Sequence, residues 1–115
     1  MPTEDLDAVF ILPDLMLSDE AAQIAELALR YRLPTMAWGG WFTTAGGLMA
    51  YSAEYANMSR SLANYIDKIL KGAKPSDLPI DQPTRFVLSI NLRTAKALDI
   101  QVPQALAVRA EELIE

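Results

Sequence analysis

Residues 38–51 read WGGWFTTAGGLMAY, from Trp38 to Tyr51. Three large aromatics (Trp38, Trp41, Phe42) and two glycine pairs (Gly39-Gly40, Gly46-Gly47) fall in one loop. A β-like run, Leu33–Trp38, leads in, and a second, Leu48–Tyr51, leads out. Glycine permits positive φ and close approach of a ligand to the backbone. Aromatic rings offer broad flat surfaces to an apolar or aromatic molecule. In open α/β sheets, ligands bind at loops that leave the carboxyl ends of strands. Trp38, Trp41, Phe42 and Tyr51 are therefore candidate ligand-binding residues, and Gly46 and Gly47 a candidate hinge. The competing reading is that the aromatics plug the edge of a core.

Outward from this loop the chain alternates strand and helix. Asp7–Leu12 is a continuous apolar run, the pattern of a strand buried on both faces of a parallel sheet. Ser18 reads as a helix N-cap with Asp19 and Glu20 in the first turn. Ala21, Ile24, Ala25, Ala28 and Tyr31 follow at helical spacing. Strand, helix, strand reads as a right-handed βαβ unit. After the loop, Ser52 is expected to cap a long helix over 53–71, with Gly72 as its C-terminal stop. Tyr55, Met58, Leu62, Tyr65, Ile66 and Ile69 form an apolar stripe along it. Pro75, Pro79 and Pro83 keep the next segment extended. Thr84–Ile90 is a further strand, Asn91 caps a short helix to Leu98, and Pro103 opens a last helix to about Arg109. The expected fold is α/β: a mainly parallel sheet flanked by helices, in a single domain over 1–115, with Leu48–Tyr51 as a crossing strand.

Composition narrows the chemistry. The 115 residues carry a formal net charge of −5 and no basic stretch, which argues against nucleic acid. Cysteine and histidine are both absent, so thiol nucleophiles, disulfides, Cys/His metal sites and histidine acid–base chemistry are excluded. No catalytic residue, metal site or cofactor is expected. Met1–Asp7 is short, polar and acidic, unlike a signal peptide. Asp14, just past a strand end, resembles in position the phospho-acceptor of a receiver domain. The acidic pair and late lysine of that fold are not evident. Asp14 is instead a candidate polar contact for a ligand's ammonium group, or simply the residue that initiates a turn. The glycine pairs spell neither GxGxxG nor a P-loop and are not expected to lead into a helix.

The order of segments resembles the C-terminal part of the tryptophan/tyrosine-type ABC-transporter substrate-binding proteins. The pieces that carry the likeness are Gly46–Tyr51 (GGLMAY), Ile69–Pro75 (ILKGAKP), Asp77–Pro79 (DLP), Gln82–Thr84 (QPT) and Asn91–Leu98 (NLRTAKAL). The resemblance implies one lobe plus a crossover helix of a type I periplasmic-binding-protein fold. It implies an extracytoplasmic receptor that holds a small ligand in its cleft and hands it to an ABC permease without chemistry; the concentration of Trp38, Trp41, Phe42 and Tyr51 there points to an aromatic, amino-acid-like or other small organic solute. A complete member is about 300 residues, longer than a single core usually grows, which fits two lobes. The chain is thus expected to lack a signal sequence and most of the first lobe. The alternative is a structural or interaction fragment, a relic that binds no small ligand. In either case the stripe on helix 53–71 would lack the lobe it packs on, and a homodimer through Tyr55, Met58, Leu62, Tyr65, Ile66 and Ile69 is expected to cover it.

Overall fold

In the computed structural model, which describes residues 5–115, five strands form one sheet in the order β1-β2-β3-β4-β5. These are β1 (Val9–Ile11), β2 (Thr35–Ala37), β3 (Met49–Ala53), β4 (Phe86–Asn91) and β5 (Glu112–Ile114). β1 and β2 pair in parallel, with Val9 opposite Thr35 and Ile11 opposite Ala37. β2 and β3 are parallel too, as are β4 and β5. Between β3 and β4 the direction reverses. Asn91 N–H donates to Leu48 O and Glu54 N–H to Arg85 O, so one partner number rises as the other falls. The sheet is α/β and mostly parallel with this single antiparallel junction.

The chain divides into two compact units. The first takes residues up to Ser52 together with Val87–Glu115, and the second is Ala53–Phe86. β3 and β4 carry the chain from one to the other. The boundary between the units therefore lies in these strands.

In the first unit, α1 (Leu15–Asp19) and α2 (Ala21–Arg30) connect β1 to β2. α2 turns Ala21, Ala25 and Ala28 inward. Such small side chains let the helix axis lie close to its neighbours. Ala21 and Ala25 join Ile11, Ala37 and Phe42 in the main core. A second cluster, Leu48, Ala95 and Leu98, packs under α5 (Leu92–Ala97) with Met49, Ile100 and Val102.

The connection from β2 to β3 is unusually tight. A parallel crossover usually takes a dozen or more residues and a helix. Here residues 38–48 suffice, with one four-residue helix, α3 (Trp41–Thr44). Two features permit this. Gly46 takes φ 111°, which a side chain would make strained. Gly47 N–H returns to Phe42 O at 2.9 Å and Gly46 N–H to Thr43 O at 3.2 Å, the paired bonds of a Schellman C-cap. A Cβ on Gly47 would sit 2.0 Å from the Phe42 ring, so the glycine makes room for that ring.

The second feature is a chain of buried polar groups. Thr43 Oγ1 donates to Gly40 O at 2.8 Å and lies 2.6 Å from Ser89 Oγ. With the threonine proton committed to Gly40, Ser89 is the donor between the two hydroxyls. Asn91 Nδ2 donates to Thr43 O at 2.9 Å while its Oδ1 accepts the Thr94 N–H at 3.1 Å. Thr94 Oγ1 in turn donates to Gly46 O at 2.8 Å. The crossover carbonyls of residues 40, 43 and 46 are thus all paired by side chains. Asn91 caps α5 as its type predicts, and also holds a loop distant in sequence.

Several local expectations are corrected. The first N-cap is Asp14, not Ser18: Asp14 Oδ1 accepts from Met16 N–H and Leu17 N–H and starts α1. Ser52 lies within β3, and Glu54 precedes α4 (Tyr55–Leu70) without a side-chain cap bond. β1 is an edge strand with Phe10 58% exposed, not a strand buried on both faces. The glycine pair 39–40 leads directly into α3. The last helix, α6, is only Gln104–Ala107, and the unexpected β5 follows it. β5 is held through Glu111, which clamps Leu88: its Oε2 accepts Leu88 N–H and its own N–H donates to Leu88 O.

In the second unit, α4 ends as expected at Gly72, with Gly72 N–H on Ile69 O and Ala73 N–H on Lys68 O. The extended segment runs back along the helix, tied by Ser61 to the Asp81 carboxylate and by Tyr65 Oη to Pro79 O. No residue of α4 is buried.

Gly47→Ala should destabilise the chain by roughly 1–3 kcal/mol, the usual cost of overpacking, read as a lower urea midpoint with unchanged slope. Asn91→Ala leaves the Thr94 N–H without its acceptor and Thr43 O with only the Gly46 N–H, and should destabilise the chain by about 1–3 kcal/mol, the cost of one stranded buried group, read in the same titration.

Candidate ligand-binding site

Because β4 and β5 run against β1 and β2, the carboxyl ends of β1 and β2 and the start of β5 share one edge of the sheet. The turn that leaves β2 there holds both tryptophans of the sequence. Trp38 and Trp41 meet edge to face, with centroids 5.5 Å apart and planes at 70°. Trp41 meets Phe42 in the same manner at 5.8 Å and 78°. Such edge-to-face pairs contribute about 0.5–1.5 kcal/mol beyond the area they bury. The Trp41 indole folds back over Gly39, where a Cβ would lie 2.1 Å from Nε1. Only glycine at 39 admits this fold-back.

The three aromatics are not equivalent. Phe42 is fully buried and fills the core beneath Gly47. Trp38 and Trp41 are half-buried. Their indole nitrogens are buried, and neither N–H has an acceptor among the described residues. A buried donor without a partner costs about 1–3 kcal/mol, so this turn keeps unspent hydrogen-bonding capacity. Tyr51 is on β3 and 49% exposed. Asp14 is exposed, with one carboxylate oxygen engaged in capping α1.

Sequence reading missed Glu112. A Cβ on Gly40 would stand 3.2 Å from Glu112 Oε2, so this carboxylate lies against the turn between the two tryptophans. Glu112 pairs with Ser89 in the β4–β5 register and is solvent-exposed. It forms no ion pair among the described residues. Reading the last helix toward Arg109 concealed it, since three residues are too few to show strand alternation.

The edge combines aromatic walls, a carboxylate and two unpaired donors. Among the described residues no group of three or more His, Cys, Asp or Glu side chains could hold a metal ion. A groove of about 680 Å³ lies within the second unit between α4 and residues 81–85, lined by Tyr55, Met58, Leu62 and Arg85. It contains none of the tryptophans.

The fold has close structural counterparts. A conserved domain protein from Vibrio cholerae superposes with TM-score 0.85 at 22% identity, over 93% of this chain and 36% of its own. An ABC domain from Streptococcus pneumoniae, solved in complex with L-Trp, gives 0.86 at 22%, over 95% and 37%. A ligand-free, open substrate-binding protein with adhesive properties from Clostridium difficile gives 0.71 at 18%, over 96% and 36%. The chain thus spans little more than a third of each solved chain. No curated protein sequence matches it. The model for ABC transporter substrate binding proteins matches residues 1–114, so the chain belongs to that family of non-enzymatic solute receptors.

Proposed function

We propose that this chain is the ligand-binding segment of an ABC transporter's solute receptor, and that its ligand is a small organic molecule resembling an aromatic amino acid. The observation that carries this reading is the half-buried Trp38–Trp41 pair at the carboxyl edge of β2. In this reading the two indoles form the wall against which the ligand lies. Phe42 backs them from the core, and Tyr51 and Asp14 add contacts. The L-Trp held by the pneumococcal neighbour is a ligand of that class. The receptor acts outside the cytoplasm and delivers its solute to a membrane permease. No helix among the described residues is long and apolar enough to cross a membrane itself.

A thermal-shift panel of amino acids and aromatic acids tests the reading. A ligand at a hundredfold over its Kd stabilises by about 2.7 kcal/mol, which raises Tm by roughly 10 °C in a domain of this size. Silence across the panel, from this chain and from one carrying the family's other lobe, overturns it.

A second reading concerns α4. Tyr55, Met58, Leu62, Ile66 and Ile69 are 42–62% exposed, a run of apolar side chains on a helix with no buried residue. Fully burying one such side chain contributes about 1.5–3 kcal/mol, so the uncovered stripe is a strong drive to associate. In the isolated chain we propose that a second copy covers it, with Tyr65 at the centre of a homodimer. Light scattering at micromolar concentration should return twice the chain mass, and Leu62→Asp with Ile66→Asp should halve it. A monomer at that concentration ends the dimer reading and leaves the ligand reading standing.

A further inference from the structure

We infer that Glu112 is the anchor for a ligand's ammonium group, a proposal that rests on the aromatic turn being the ligand site. The two neighbouring glutamates have different tasks. Glu111 is committed to the fold, its carboxylate accepting the Leu88 N–H at 2.8 Å. Glu112 has no such commitment: it is exposed and unpaired with any cation among the described residues. Its Oε2 nevertheless stands against Gly40, one of the two residues between the half-buried indoles. A carboxylate beside aromatic rings is the arrangement that recognises an organic cation. The carboxylate supplies charge, and the rings supply apolar contact and the negative π-face that attracts ammonium.

The rival acid on the same edge is Asp14. One of its oxygens already accepts two backbone N–H groups at the start of α1. Its carboxylate is therefore oriented by the helix and has less freedom to meet a ligand. The glycines fit the same logic. Gly39 is required by the Trp41 fold-back, whereas at Gly40 a side chain would stand between the turn and the Glu112 carboxylate. The ligand class that follows is a primary amine on an aromatic or apolar body.

Both tryptophans of the sequence lie in this turn, so indole emission excited at a wavelength selective for tryptophan reports on the site alone. Three probes without an indole separate the contributions: L-phenylalanine, 2-phenylethylamine, which lacks the carboxylate, and 3-phenylpropionate, which lacks the amine. The first two should change the emission saturably, and 3-phenylpropionate should bind more weakly. Glu112→Gln should weaken the two amines on the order of fivefold, the upper range for an exposed ion pair, and leave 3-phenylpropionate unchanged. Raising the salt concentration should shrink the difference. The inference is overturned if Glu112→Gln binds the amines like the parent chain, if Asp14→Asn alone weakens them, or if 3-phenylpropionate binds the parent chain as tightly as L-phenylalanine. The probe comparison on the parent chain needs no variant and stands even where a substitution impairs folding. Silence to all three probes, from the parent chain and from one carrying the family's other lobe, overturns the ligand reading itself, and this inference with it. A response unaltered by Glu112→Gln removes only the inference.

Discussion

The buried bonds that converge on Asn91 hold the first unit in its shape. One side chain closes two gaps at once: its amide satisfies the Thr43 carbonyl, and its oxygen caps the helix that begins three residues later. Thr94 extends the bridge to Gly46, and Ser89 extends it to the Thr43 hydroxyl. Without these partners, the Gly46 carbonyl would have nothing to accept, and those of Gly40 and Thr43 would keep only bonds from within the turn itself. Buried polar groups are tolerable only when satisfied, and a satisfied network specifies one arrangement of the backbone. Here the arrangement specified is the path of the turn that carries Trp38 and Trp41.

That rigidity has a functional corollary. A binding wall made of two indoles is useful only if the rings are held at a defined angle. Gly39 and Gly47 allow the Trp41 and Phe42 rings to lie over the backbone, and Phe42 is locked in the core. The aromatic cluster is therefore anchored from below. Of the two roles that compete when the loop is read as letters, Phe42 takes the plugging one, and the half-buried indoles are the residues left to the proposed binding role.

The second unit shows the opposite economy. α4 has a regular 3–4 apolar stripe and a well-formed C-cap, yet buries nothing. Its local signals are complete and its tertiary partner is missing from the described residues. This chain spans little more than a third of the solved chains that share its fold.

What the sequence by itself determined is whatever local periodicity and end chemistry encode. The apolar run within 7–12, the alternation of Phe86, Leu88 and Ile90, the long helix before Gly72, its stop there and the Asn91 cap all follow from spacing and side-chain type within a few residues. The family, too, was legible in short segments of the chain. What only the tertiary structure decided depends on residues far apart in the chain. β5 is three residues long and exists because it pairs with β4, and no local pattern marks so short a strand. Asp14 and Ser18 are equally good caps by type, and the geometry of the chain leaving β1 chose Asp14. Glu112 reaches the tryptophan turn only because β4 reverses direction in the sheet and brings β5 to the same edge. Strand pairing and direction are long-range contacts, opposed by loop-closure entropy and repaid only when the whole sheet forms, so single segments carry no record of them.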